Sequence, residues 1–528
     1  MIPRLALPPR PAVLALLALA FALPGLVGHD PWKSLDAITI EVAHQMDVTG
    51  DWVVPRVAGT PELDNPPLYH WLALGFGKLL GSLVPFHNAA RLASGLCVLL
   101  ALWLLARTAG AAAALLLIGA MGFMVHAHEA LPELAGLAAA CTAFAVLPQA
   151  HARPLLHGAM FGGALGLMFL ADGPFEPAAL GLTALVAHAV CPRWRRWGAL
   201  PFLGAAALVS ALACASWLWA LSARAPELPG AWWALASQTW GTPLGNLRYF
   251  LVTASWFTWP AWPLAAWALW ARRREWRQPE LFVPAAACVI LLGGLALTGP
   301  TTDVALLAVL PPLALLGAAG VQHLRRGAAA ALDWFAVMCF TFFAGLVWLA
   351  YLAFMTGWPA RLAQFLARPA PGFEASFSPA AFVFALLLTL GWLYVAFFTP
   401  PSPMRGVTRW AAGVTLLWSS FALLLMPWAD HQKSYRAVAL QLRSKIAPDA
   451  GCVAGHLGIT QRAAMSYFAS LQTEPVSRAG PDGCRLLLLQ GSPGDDSAGP
   501  GPGWTKLADV GRPGDKAERY RLYRLERK

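Results

Sequence analysis

The sequence predicts a polytopic α-helical membrane protein that ends in a small α/β domain. Three observations predict it. First, 58% of the 528 residues are hydrophobic and only 12% are charged, whereas soluble domains carry roughly 25% charged residues. Second, apolar runs close to the roughly 20 residues that a helix needs to cross a bilayer recur along most of the chain. Third, the text after Trp428 changes character and alternates between short strand and helix patterns.

The opening run, MIPRLALPPRPAVLALLALAFALPGLVGHD, resembles a signal peptide, but its apolar core is long and no small-x-small cleavage site precedes His29-Asp30. It reads as a retained first span with Arg4 and Arg10 in the cytoplasm. Further crossing runs follow at 88–106, 109–125, 130–149, 155–171, 174–191, 198–221, 249–271, 280–298, 302–321, 330–356, 379–399 and 409–428. The total is about 13 transmembrane helices. Alternating from a cytoplasmic start puts Arg107, Arg153, the CPRWRRWG and ARRREWRQ clusters, Arg325-Arg326, Arg405 and Arg409 inside. That distribution follows the positive-inside rule. The run at 66–86 is apolar enough to cross, yet counting it would put every later basic cluster on the wrong side. It is predicted to lie at the outer interface as an amphipathic helix, with Tyr69, His70 and Trp71 at headgroup depth.

The net charge of +11 is thereby a topology signal and not a nucleic-acid footprint, because no soluble basic face accompanies it. The predicted domains are a transmembrane domain, residues 1–428, whose first outer loop covers 29–87, and an outer α/β domain, residues 429–528. In the latter, SYRAVALQLRSKI and ITQRAAMSYFAS have helical periodicity. GCVAGH, CRLLLLQG and ERYRLYRLE read as strands, and GSPGDDSAGPGPG as a loop. Cys97, Cys141, Cys191, Cys214, Cys288 and Cys339 fall in or beside apolar runs and read as packing residues. Cys452 and Cys484 open neighbouring strands, where a disulfide in an oxidising compartment and two free thiols both remain open. No CxxC or HExxH spacing marks a zinc site.

Polar side chains concentrate in the early outer loops. The first holds Asp30, Lys33, Asp36, Glu41, His44, Asp51, Arg56, Glu62, Asp64 and His70; the second holds His126, His128, Glu129 and Glu133; the third holds Asp172 and Glu176. Carboxylates at a bilayer surface are costly unless paired, solvated or bound to metal, so such clustering points to function.

The stretch GDWVVPRVAG followed by PPLYHWLALGFGKLLG resembles the first outer loop of the polyprenyl-phosphate-dependent membrane glycosyltransferases. These are the GT-C superfamily of lipid A aminoarabinose transferases and protein O-mannosyltransferases. The match runs from Met46 through Gly50-Asp51-Trp52, Pro55, Gly59 and Pro66-Pro67-Leu68 to Trp71, without gaps. The resemblance implies a GT-C type fold in the bacterial inner membrane. It also implies inverting transfer of a sugar from a polyprenyl-phosphate donor to a cell-envelope acceptor, either lipid A, another glycan or a protein. A catalytically inactive descendant that binds or moves polyprenyl-linked glycans is the alternative. Lipids and the acceptor are the implied partners, and nucleic acid is not.

Carried over residue by residue, the family's Asp-Glu pair falls on Leu35-Asp36, so Asp36 is the expected base, with Asp30 nearby. The Glu-Lys before the double proline falls on Asp64-Asn65, which makes Asp64 the candidate ligand of a divalent metal ion. The acidic position of the second loop falls on Glu133, and the third loop's Lys-Gly on Asp172-Gly173. Arg56, Asn65, Tyr69, His70, Arg248 and Tyr249 are the expected substrate-binding residues.

Overall fold

The computed structural model of the chain describes residues 11–192, 194, 199–299, 301–447, 451–480, 483–494 and 500–526. Arg4, Arg10, most of the CPRWRRWG cluster and the middle of the GSPGDDSAGPGPG loop lie outside these residues. The helical domain begins with α1 (Pro11–Ala22) and α2 (Ser34–Thr49), then a hairpin of β1 (Arg56–Val57) and β2 (Thr60–Pro61), and α3 (Leu68–Leu80). It continues through α4 (Phe86–Ala109), α5 (Ala111–Ile118), α6 (Met121–His126), α7 (Pro132–Val146), α8 (Pro154–Asp172) and α9 (Phe175–Val190). The second half holds α10 (Ala199–Arg224), α11 (Leu228–Ala236), α12 (Pro243–Phe257), α13 (Ala261–Ala271) and α14 (Pro279–Thr298). A 3-10 turn at Val304–Val309 leads into α15 (Leu310–Val321), and α16 (Arg326–Thr356), α17 (Ala360–Ala367), α18 (Pro379–Phe398), α19 (Arg405–Leu424) and α20 (Met426–Lys433) complete the domain.

Among the described residues, eight helical segments are long and apolar enough to cross a bilayer, counting the 3-10 turn and α15 together. Five further runs that the sequence offered as spans are shorter or broken. α1, α7 and α9 have 12, 15 and 16 residues. The run 109–125 divides at Gly119-Ala120, and 249–271 divides at Thr258–Pro260. A β-region Ala120 and a proline both interrupt the i→i−4 ladder. With 13 residues, α3 is too short for a straight crossing.

Close packing rests on small residues. A Cβ at Gly158 or Gly162 would lie 2.3 Å from a backbone oxygen of α10, and one at Gly166 would lie 2.5 Å from Ala213. This small-xxx-small stripe lets α8 and α10 touch through their backbones. α16 and α19 are tied by buried Asp333, which accepts from Arg409 Nη1 at 2.8 Å and pairs with Arg405 at 2.6 Å.

The C-terminal unit follows the strand and helix patterns of its sequence. α21 (Arg436–Ser444), β3 (Val453–His456), α22 (Ile459–Ala469), β4 (Leu486–Gly491), β5 (Trp504–Val510) and β6 (Arg519–Leu525) build a sheet of order β3-β4-β6-β5. β3 and β4 are parallel and the other pairs antiparallel. β5 is an added strand, half-exposed and bulged between Lys506 and Ala508, which blurs its alternation. Cys452 and Cys484 form a disulfide with Cα atoms 5.0 Å apart. The unit has its own apolar core around Val438, Leu442, Leu486, Leu488 and Leu522.

This unit sits on the first loop. Gln45 of α2 donates to Ser466 of α22 (3.2 Å), Arg462 to Thr60 (2.9 Å) and Thr460 to Ser34 (3.1 Å). The His87 ring meets the Tyr467 hydroxyl at 2.9 Å. First loop and C-terminal unit thus share one end of the helical domain.

Candidate functional site

The expected base, Asp36, does not face open space. It is 1% exposed and grips the equally buried guanidinium of Arg91 on α4 through two parallel bonds, Nε–Oδ1 at 2.8 Å and Nη2–Oδ2 at 2.7 Å. Oδ1 also accepts the Ala130 amide at 2.8 Å. Burial opposes its charge, but the Arg91 guanidinium outweighs burial and holds the carboxyl below its ordinary range. A carboxylate so stabilised and saturated is a poor proton acceptor. Its assignment as base is therefore corrected: it joins α2 to α4 and to the entry of α7.

Asp30 is corrected in the same way. It is buried, takes the fork of Arg436, accepts from Ser434 Oγ at 2.6 Å and donates its own amide to Asp430 Oδ1 at 2.8 Å. These contacts fasten the C-terminal unit to the start of the first loop. Burial again opposes the charge, and the Arg436 and Ser434 bonds lower the pKa below the ordinary value.

The residue beside Asp36 points elsewhere. Leu35 lines a cavity of about 340 Å³ together with Lys33, Ser34, His126, Glu129, Trp256 and Asp303. One step along a helix turns a side chain by about 100°, so Leu35 faces the cavity and Asp36 the packed interior. The polar groups here form a chain. Lys33 pairs with Glu129, whose other oxygen, Oε2, accepts from His126 Nδ1 at 3.1 Å; His126 Nε2 reaches Asp303 Oδ2 at 3.4 Å. The His126 ring stacks on Phe257 of α12, centroids 5.9 Å apart. That approach needs Gly122, because a Cβ there would lie 2.1 Å from the Phe257 ring. Burial alone would lower the His126 pKa, but Glu129 and Asp303 overcome it and raise it. Glu129 is shifted down despite burial, by His126 and Lys33. The Asp303 side chain is 43% exposed and opens to solvent.

The other expected residues scatter. Glu133, in the first turn of α7, lies near enough to His126 and Glu129, and then to Asp64, Asp172 and Glu176, for direct electrostatic influence. Glu62 beside Asp64 is pushed up to about 7 by burial and by that carboxylate. Tyr69 is buried in the helical core and shares a 2.6 Å hydrogen bond with Ser94, so it does not reach substrate. Buried His70 is held neutral, its pKa lowered to about 4 by burial. Arg56 bonds Gly59 O at 3.4 Å within the hairpin, and Asn65 lies half-buried in the turn before α3. Arg248 is exposed on α12, while Tyr249 packs against the core. None of these lines the cavity.

A divalent metal does not fit the expected position. Asp64 is exposed and its amide bonds Glu62 Oε1 at 3.3 Å. Among the described residues no group of three His, Cys, Asp or Glu side chains is placed to hold a metal ion.

Below the polar cavity runs a groove. Met121 and Trp256 are shared with an apolar cavity of about 490 Å³, which also touches Phe335, Phe340 and Trp410. Trp259 and Phe335 are shared in turn with a further cavity of about 500 Å³, reaching Trp267, Leu324 and Arg325. Through these shared residues the three cavities adjoin in series along α12, α13 and α16. From Asp303 to Arg325 the 3-10 turn and α15 rise about 30 Å, the thickness of a bilayer's hydrocarbon core.

A charged cavity thus lies beside apolar ones in the helical domain, and comparison with solved structures shows which fold holds them. The crystal structure of ArnT from Cupriavidus metallidurans bound to undecaprenyl phosphate is similar to this chain at 18% identity. It covers 97% of this chain and 96% of its own, with a TM-score of 0.70. The apo state of that protein gives the same identity and coverage with a TM-score of 0.65. No protein-family profile and no curated protein matches the chain.

Proposed function

We propose that the protein is a membrane glycosyltransferase that takes its sugar from a polyprenyl-phosphate carrier and delivers it to a cell-envelope hydroxyl with inversion. The series of apolar cavities that adjoins the polar one carries this reading. An isoprenoid tail is apolar along its length and ends in a phosphate, and the path offers the same order of environments. Lys33 and the His126 imidazolium are the cations at its head and would hold the phosphate, before and after it leaves the sugar. With the basic loops cytoplasmic, this end faces the periplasm. The similarity to a structure holding undecaprenyl phosphate supports the choice of carrier.

Titrating purified protein with undecaprenyl phosphate tests it. Lys33→Ala removes a charge-assisted bond of about 1.5–3 kcal/mol, so affinity is expected to fall at least about tenfold. Equal affinity in wild type and variant would refute the site. A second reading is favoured by one observation: Leu35 stands in the cavity where the resembled family places its base. A carrier-binding protein without transfer would bind undecaprenyl phosphate and release none from a sugar-loaded carrier.

A further inference from the structure

We infer that Asp303 takes the proton from the acceptor hydroxyl, and that His126, oriented by Glu129, is the residue that positions it. The inference rests on the glycosyltransferase reading. Leu35 leaves α2 without a carboxylate in the cavity, and Asp36 is saturated by Arg91 and the Ala130 amide. Glu129 is occupied on both sides, by Lys33 and by His126. Of the carboxylates lining the cavity, Asp303 alone has open access, at 43% side-chain exposure. It enters from a different part of the chain, at the start of the 3-10 turn that leads into α15. The Glu129–His126 bond fixes the imidazole on one nitrogen and presents the other to Asp303, which limits the carboxylate's freedom while one of its oxygens stays available. Lys33 just before α2, Glu129 from the loop and Glu133 from α7 are the other charged groups facing His126.

The step balances without a further reactant. The acceptor O–H bond breaks and its proton goes to an Asp303 oxygen. The acceptor oxygen forms a bond to the sugar's anomeric carbon from the face opposite the phosphate. The bond from that carbon to the carrier's phosphate oxygen breaks, and its electron pair leaves with the polyprenyl phosphate beside Lys33 and His126.

The test measures two quantities on full-length protein: affinity for undecaprenyl phosphate, and release of polyprenyl phosphate from sugar-loaded carrier extracted from bacterial membranes. Asp303→Asn is expected to lower the release rate by about 100-fold or more, the usual range for loss of a general base, while carrier affinity stays within about threefold of wild type, below 1 kcal/mol. Retained affinity also shows that the variant is folded. Asp303→Glu should recover part of the rate. In the His126→Gln background Asp303→Glu should recover none of the rate lost in Asp303→Asn; a merely structural histidine would leave that recovery in place. Wild-type turnover by Asp303→Asn, or a wild type that binds carrier and releases nothing, overturns the inference. A wild type that does not bind undecaprenyl phosphate overturns the functional reading instead.

Discussion

A single helical step separates Leu35, in the cavity, from Asp36, locked to Arg91. Carried over from the resemblance across Gly50–Trp71, leucine falls where a carboxylate is expected. Moving the role to the next residue fails because the helix turns it into the core. The Asp36–Arg91 pair instead makes a stability prediction. Asp36→Asn leaves a fully buried guanidinium without its counter-charge, a loss of about 3–5 kcal/mol for such pairs. Thermal unfolding in detergent should show a clearly lowered midpoint, whereas Asp64→Asn, at an exposed position, should leave it nearly unchanged. A comparable loss in both would contradict the structural role given to Asp36. Lys33, His126 and Glu129 were legible as members of polar loops, and the HAHE run marked the second loop. Asp303 was not, because nothing in GPTTDVALL distinguishes a cavity carboxylate from a loop residue until α15 brings it to His126.

At the scale of elements, α20 carries a carboxylate under strain. Asp430 lies beside Asp30, and burial first, then the Asp30 charge, push its pKa up to about 6. A carboxyl whose folded pKa is raised stabilises the fold in its protonated form. That contribution is complete below the unfolded value of about 3.9 and is lost as pH rises through about 6. Asp30 has the opposite sign: its lowered pKa gives stability that is present above the unfolded value of about 3.9 and is lost as pH falls below it. Asp430 should therefore weaken the junction of α20 with the first loop between about pH 4 and 7, while His87 beside Asp30, its pKa lowered to about 3 by burial, acts in the opposite sense as pH rises. Asp430→Asn keeps an oxygen to accept the Asp30 amide and removes the charge. The expected result is a higher melting temperature than wild type at pH 7, with a gain that shrinks as pH falls to 4. An unchanged pH profile would assign the dependence elsewhere. The strands and helices on the far side of this junction were readable because their periods switch cleanly between alternation and helical spacing. The broken spans were not, because the runs 109–125 and 249–271 are apolar nearly throughout and their breaks lie in a few residues of backbone.

The whole molecule joins two chemistries at the two ends of one groove, and the length of that groove is itself testable. The apolar part is not legible from local sequence: Met121, Trp256, Trp259 and Phe335 come from separate parts of the chain and each reads as ordinary apolar membrane text. Their shared membership of adjoining cavities makes the path. If a long isoprenoid follows it, a bulky side chain far from the polar head should shorten the usable channel without touching the phosphate site. Ala328 lines the distal cavity beside Arg325. Ala328→Trp would exclude several methylenes there, each worth about 0.8 kcal/mol when buried, so undecaprenyl phosphate affinity should fall about tenfold. A short carrier such as geranyl phosphate ends before that cavity and should bind wild type and variant alike. Equal losses for both chain lengths would mean that the variant disturbs the head of the site, and no loss for either would mean that the tail leaves the protein higher up, between α12 and α16, to lie among the surrounding lipids.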